Sequence, residues 1–466
     1  MYNFLFILLI TKIINISSKP LILNFKTRKM TRDNFMKTLI NNDIYTSILV
    51  GEDKQSIEMN IKSQQSSTII LSETCLQGES AKKFVETQSS TYKILLQSQT
   101  YYMYEFKEAV HSQDNIILFE DNNKQIEVND YKFMLAKSLW YDSQPYMAGV
   151  FGLKLQGKNE EMSLPEGTDF IKQLKQKELI NSYVFVLDYK DDDNGVLYIG
   201  DYFHENIKEY SEENFMVTQA GYKKFKVKNW EINIDRIFSG NQIFKNETYL
   251  TLFYELGIIA APKTYEYYIN NTFFKQYLAD GVCKDKLNLE TVASFKKYNY
   301  IECDKDKINK NTFPRLKFYN RDMNFNFSLG YEDLFYEHEN KVYFLVIFPI
   351  YGTDVQYWYM GKPFIKKYKL FLDKDRKIIG LYKNFQNNID DDDDEPNEEG
   401  DKSYTKYIIT IIVLAVVLIV SIISILYYFL VIKKSRRQRA NELDENIDYE
   451  TKAEEKQDKL DKLIIN

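Results

Sequence analysis

Between residues 45 and 382, short runs of Ile, Val, Leu, Tyr and Phe alternate with stretches broken by Asn, Asp and Gly. Apolar runs of this kind, rich in β-branched and aromatic residues and bounded by turn formers, predict strands. The clearest are 47–50, 67–71, 183–187, 196–199 and 342–348. Helical periodicity is sparse and is strongest over 168–180, where Phe170, Ile171 and Leu174 share a face. The pattern predicts a mainly β body with small helices.

The two ends depart from this pattern. Residues 1–14 are apolar and lead into Asn15-Ile-Ser-Ser18, which reads as a signal peptide over 1–18. A short buried segment is the alternative, because no Lys or Arg precedes the run and Lys12 interrupts it. From 407 to 432 no charged residue occurs, which exceeds the roughly 20 residues a helix needs to cross a bilayer. Lys433, Lys434, Arg436, Arg437 and Arg439 follow at once, a cluster that stays cytoplasmic and meets lipid headgroups. The expectation is a single-pass type I membrane protein. Its body faces the lumen of the secretory or endolysosomal pathway or the cell exterior, and a tail over 433–466 lies in the cytosol. Residues 386–406 hold five consecutive aspartates and further acid, so they self-repel and read as a juxtamembrane stalk. A calcium loop is the weaker reading, since the run lacks the Gly and the spaced ligands such a loop uses.

Composition narrows the function classes. With 466 residues and 44% hydrophobic content the chain can bury a sizeable core in two or three domains. The net charge of -6, with acids and bases mixed along the chain, gives no basic stripe for nucleic acid. Three cysteines are present, and in an oxidising compartment Cys283 and Cys303 can close a local loop that leaves Cys75 odd. Metal ligation is the alternative for them, disfavoured because no CxxC occurs and the three histidines (111, 204, 338) are far apart, so neither metal nor cofactor is expected. Asn246, Asn270 and Asn326 lie in Asn-x-Ser/Thr sequons and are glycosylation candidates. No serine-hydrolase elbow, zincin motif, phosphate-binding loop or dinucleotide glycine motif is present.

An ordered set of blocks over roughly 45–382 resembles the pepsin-like aspartic proteases. Leu49-Val-Gly51 with Gln55 resembles the opening strand and turn, Ser89-Ser-Thr-Tyr92 a conserved-type turn, and Ala148-Gly-Val-Phe-Gly-Leu153 the strand behind the first catalytic loop. Residues 170–186 resemble the helix and strand that follow, 195–201 a hairpin, and 230–237 the strand before the second catalytic loop. The most specific block, 359–381, is similar to the closing segment of that family. The resemblance implies a bilobal β fold around a cleft, with lobes at 43–215 and 216–385. It also implies a disulfide between Cys283 and Cys303, and a segment over 19–42 at the place of a propeptide, which in that family blocks the cleft with basic residues. Lys26, Arg28, Lys29, Arg32 and Lys37 are available for that role.

The family's chemistry needs two aspartates, one per lobe, that share a proton and hold a water between them. Counting from Gly51 and Gln55 places the first Asp-Thr-Gly-Ser turn on Lys62-Ser63-Gln64-Gln65. The second turn is read as Glu255-Leu256-Gly257-Ile258, which keeps an acid and the glycine. Lys62 opposite Glu255 is expected to form an ion pair instead of a dicarboxylate. The flap tip is read at Tyr104, with both family glycines lost. The resulting expectation is a catalytically inactive, membrane-anchored domain that binds a peptide or protein in its cleft. One alternative is an active endopeptidase that uses Glu255, and another is a receptor whose tail carries a sorting signal.

Overall fold

The computed structural model describes residues 20–28, 35–75, 82–100, 106–139, 148–155, 167–221, 229–240, 242–288, 295, 297–350, 357–383, 427 and 431–434. Two units are present, 1–389 and 390–466. In the second, Tyr427 and residues 431–434 are helical. The segments expected as signal peptide and stalk, most of the one expected to cross a membrane and the expected tail beyond residue 434 lie outside the described residues.

Strands dominate the first unit, and their alternation sets the core. In Leu21–Thr27 the buried Leu21, Leu23 and Phe25 alternate with Ile22, Asn24 and Lys26, and in Ile44–Val50 the buried set is Ile44, Thr46, Ile48 and Val50. A period of two buries one face of each strand, which fixes register. Among the described residues the strands form one sheet of 13 and another of 11. The predicted helix is present as Phe170–Gln176, capped by the Asp169 carboxylate accepting from the Lys172 N–H, with Phe170, Ile171, Gln173 and Leu174 buried. The run at 342–348 is two strands, Lys341–Phe344 and Val346–Pro349.

Each sheet contains the same unusual crossing. In the first, Gln55–Lys62 runs parallel to Gly149–Gly152, pairing Ile61 with Phe151 and Lys62 with Gly152. The chain then turns, and Ile69–Leu71 pairs antiparallel with Gly149–Gly152 and parallel with Gln125–Leu139. In the second, Gln242–Leu252 runs parallel to Trp358–Met360, pairing Leu252 with Met360. After its turn, Ile259–Ala260 pairs antiparallel with Trp358–Met360 and parallel with Val346–Pro349. The two turns between crossing strands therefore come from equivalent places in two lobes.

The lobes are not divided at a single residue. Phe215–Gln219, Phe371–Asp373 and Ile378–Tyr382, expected with the second lobe, join Val184–Tyr189, Asn194–Ile199 and Leu21–Thr27 in the 13-stranded sheet. The Trp230 indole N–H donates to the Leu153 carbonyl at 2.8 Å, tying the start of the second lobe to the first. Cys283 and Cys303 form a disulfide as register partners of Cys283–Asn288 and Tyr298–Asp304, while Cys75 is buried.

His111 lies on Phe106–Phe119, opposite Met134 on one side and Leu96 on the other, and is 6% exposed. Among the described residues neither ring nitrogen has a hydrogen-bond partner. Burial lowers its pKa, with Lys132 adding repulsion. The unfolded chain then takes up a proton that the folded one refuses, so stability is lost as pH falls below the ordinary value of 6.5. Denaturant unfolding between about pH 5 and about pH 8 is expected to show a steeper acid-side loss for the wild type than for His111→Leu. Equal slopes would remove His111 from the acid sensitivity of the fold.

Candidate functional site

The pairing registers identify which residues of the two turns correspond. The shift that carries Ile61 onto Leu252 in the parallel ladders also carries Ile69 onto Ala260 in the antiparallel ones, with Phe151 matching Met360 and Val150 matching Tyr359. It takes Lys62 to Phe253, Ser63 to Tyr254 and Gln64 to Glu255. Close approach supports the same match. A Cβ on Gly152 would lie 2.5 Å from the Gln65 carbonyl, and one on Gly361 would lie 2.2 Å from the Leu256 carbonyl, so both strands accept only glycine there. The reading that set Glu255 opposite Lys62 as its equivalent is therefore corrected. Glu255 is two residues past the matching position, because the surviving acid and glycine of the second turn drew the comparison out of register.

Glu255 nevertheless meets the first turn. Its Oε2 accepts from the Ser63 hydroxyl at 2.7 Å and its Oε1 from the Gln64 N–H at 3.1 Å. Ser63 is buried, and its Oγ also accepts the Tyr254 N–H at 3.1 Å and the Gln64 side-chain amide at 3.4 Å. A hydroxyl has a single proton to donate. The carboxylate at 2.7 Å is a better acceptor for it than the Leu252 carbonyl at 3.4 Å. Burial raises the Glu255 pKa, against the opposing pull of Lys62, Ser63 and the Gln64 N–H. Lys62, half-buried at the end of its strand, thus acts on Glu255 electrostatically, as expected of opposite charges brought to one seam.

The chain before the first lobe closes over the second turn. Asn42 N–H donates to the Glu255 carbonyl at 2.9 Å, Gly257 N–H donates to the Ile40 carbonyl at 2.6 Å, and Asn41 bridges Leu256. The Asn42 side-chain amide donates to the Tyr189 hydroxyl at 2.7 Å and the Tyr254 carbonyl at 2.8 Å. A cavity of about 570 Å³ borders this contact, lined by acids such as Asp43, Asp192 and Asp333 and by Lys362, Lys366 and Lys367.

The structure thus brings Lys62, Ser63, Gln64 and Glu255 together, with Gly257 in the adjoining contact. Tyr104 lies outside the described residues, as do Arg436, Arg437 and Arg439, while Lys433 and Lys434 are helical. Asn326 is exposed on Phe325–Leu329, Asn270 is half-buried on Lys263–Asn271, and the Asn246 side chain is not among those described. Phe253, Asn42 and Tyr189 were missed from sequence. Counting from each turn to the next strand, rather than to the nearest acid, is the signal that finds Phe253. Among the described residues no group of three or more His, Cys, Asp or Glu is placed to hold a metal.

A family model described as eukaryotic aspartyl protease matches residues 43–384. No curated protein matches the chain.

Removing the Ser63 hydroxyl strips a partner from the buried carboxylate and from the Tyr254 N–H. Ser63→Ala is expected to cost about 1.5–3 kcal/mol in denaturant unfolding, with Ser63→Thr close to wild type. Because the Glu255 pKa is raised, the folded state holds its proton above pH 4.5, and wild-type stability falls as pH rises through the interval just above that value. Glu255→Gln lacks this fall, so the wild type should lose ground to the variant between about pH 4 and about pH 7. Parallel curves would refute the shift.

Proposed function

The chain belongs to the eukaryotic aspartyl protease family, and from that premise we propose that it is a membrane-anchored member that binds peptide or protein segments without hydrolysing them. The observation that carries this reading is the identity of the two register-matched residues, Lys62 and Phe253. Peptide hydrolysis by this family's route needs two carboxyls, one kept protonated as acid and one ionised as base, with a water between them. A lysine and a phenylalanine supply neither role. Glu255 at the same seam has both oxygens engaged by Ser63 and Gln64, and although burial raises its pKa, Lys62 and Phe253 stand where a partner carboxyl would have to act as base.

A second reading, peptidase activity through Glu255, draws on its raised pKa and its place at the lobe seam. It lacks a second carboxylate to activate water. Anchoring rests on the uncharged stretch 407–432 and the basic cluster Lys433, Lys434, Arg436, Arg437 and Arg439, which hold the body on the lumenal or exterior side as a binding ectodomain.

The purified full chain in detergent, incubated with a mixed peptide library from about pH 3 to about pH 7, is expected to release no fragments above the buffer control. Glu255→Ala is expected to give the same blank result. Cleavage that an aspartic-protease inhibitor blocks and that Glu255→Ala abolishes would replace this reading with the second one. Alkaline carbonate extraction of cell membranes checks the anchor: the full chain is expected in the pellet, and a chain truncated after residue 388 in the supernatant.

A further inference from the structure

We propose that Lys362 is a nucleophilic amine that captures small aldehydes as imines in the cavity of about 570 Å³ beside residues 41–43. This activity goes beyond peptide binding and does not rest on it.

The backbone fixes where this side chain starts. Lys362 opens the helix Lys362–Lys367, with Gly361 before it and Pro363 after it. Its N–H donates to the Leu256 carbonyl at 2.8 Å, and a Cβ on Gly361 would lie 2.2 Å from that same oxygen. The helix is thus pressed against the second turn, and the Lys362 side chain reaches the turn that joins Val184–Tyr189 to Asn194–Ile199.

Three lysines of this helix line the cavity, and two of them are matched by carboxylates. Lys366 meets Asp192 Oδ1 at 2.6 Å, and Lys367 meets Asp333 Oδ2 at 2.6 Å. Lys362 is different. Its Nζ donates to the main-chain carbonyl of Asp192 at 2.6 Å and lies 5.9 Å from the centre of the buried Tyr189 ring. Among the described residues it has no carboxylate as an ion-pair partner. A neutral carbonyl and an aromatic face replace lost hydration less fully than a carboxylate does, so the ammonium form is disfavoured. Burial accordingly lowers the Lys362 pKa and Lys366 adds repulsion, against the opposing charges of Asp191, Asp192 and Asp193. Arg28, Asp43 and Glu332 complete the charges on the remaining walls. A lysine desolvated in this way is the form of the residue that attacks carbonyl carbon.

The groups present suffice for the reaction. The neutral amine keeps one N–H on the Asp192 carbonyl while its lone pair attacks the aldehyde carbon, and the C=O electron pair moves to oxygen. The other nitrogen proton passes to that oxygen and gives a carbinolamine. Its hydroxyl takes a proton from solvent, relayed by the Asp193 carboxyl on the cavity wall, and leaves as water. The nitrogen lone pair then forms the C=N bond. The protonated imine retains its N–H to Asp192, so the contact that holds the amine also holds the product. No oxidant or reductant is consumed. The cavity volume lies in the range of small-molecule sites, which suits an aldehyde of a few carbons or one small ring.

The test treats the purified full chain in detergent with butanal and sodium cyanoborohydride, which reduces the imine to a stable secondary amine that peptide mapping by mass locates. At about pH 7 Lys362 is expected to be modified about tenfold faster than Lys366 and Lys367, and its rate should level off at a lower pH than theirs. In the chain unfolded by guanidinium the three lysines should react alike. Lys366→Ala frees the Asp192 carboxylate to pair with Lys362 and is expected to slow modification of Lys362 about threefold, whereas Lys362→Arg should leave the rates at Lys366 and Lys367 unchanged. If Lys366→Ala does not fold, the comparison of folded with unfolded wild type decides alone. Equal rates at the three lysines of the folded chain, or a Lys362 that reacts more slowly than its neighbours, would overturn the proposal.

Discussion

A serine hydroxyl has one proton to give and two lone pairs to fill, and at Ser63 all of these are committed, the proton and one lone pair across the seam between the lobes. The proton goes to Glu255, while the Tyr254 N–H and the Gln64 amide approach the oxygen. Each partner is buried or half-buried, so none of these bonds can be exchanged for water at low cost. The second turn is thereby held at a fixed distance from the first. The Lys62–Glu255 electrostatics, the placement of Phe253 and the contact with residues 40–42 all follow from that spacing.

The charge arrangement at the seam inverts what a proton-sharing pair of carboxyls requires. Two like charges in a dry site push one pKa up and create an acid beside a base. Here one carboxyl faces an ammonium, a hydroxyl and an amide, which favour its ionised form, and burial outweighs them and raises its pKa. Phe253 packs into an apolar cluster at the position where the second charge would have to sit. The fold couples the two lobes mechanically through turns whose register-matched residues are a lysine and a phenylalanine.

Much of the architecture could be read from the chain because it depends on patterns that repeat along it. The strand read at 47–50, found within Ile44–Val50, and the helix with Phe170 and Leu174 inward follow from periodicity, and the pairing of Cys283 with Cys303 is the one the family resemblance implied. The site was less legible. Lys62 was located by counting along a continuous strand, which preserves register. Glu255 was located by residue chemistry, and chemistry does not encode which residue of a turn faces its partner. The involvement of Asn42 has no local signal at all, since its partners Tyr189 and Tyr254 lie in distant parts of the chain and meet only once both lobes are assembled. The shared sheet was missed for a similar reason, because strand pairing between residues far apart leaves no trace in either segment alone.

That shared sheet ties assembly to the order of synthesis. Leu21–Thr27 has to wait for Asn194–Ile199 to be made before its main ladder can form, and Phe215–Gln219 has to wait for Ile378–Tyr382. Contacts between segments so far apart slow folding, because the entropy of closing long loops is lost before any pairing repays it. Apolar strands such as Leu21–Thr27, which meets the nearby Ile44–Val50 only at its end, therefore stand largely unpaired while the remaining chain emerges, a period in which exposed edges invite misassembly. The last strand to arrive is followed within a few dozen residues by the uncharged stretch 407–432, so the sheet closes at about the time that stretch leaves the ribosome. Closure of the sheet and emergence of that uncharged stretch are in this way set to nearly the same moment.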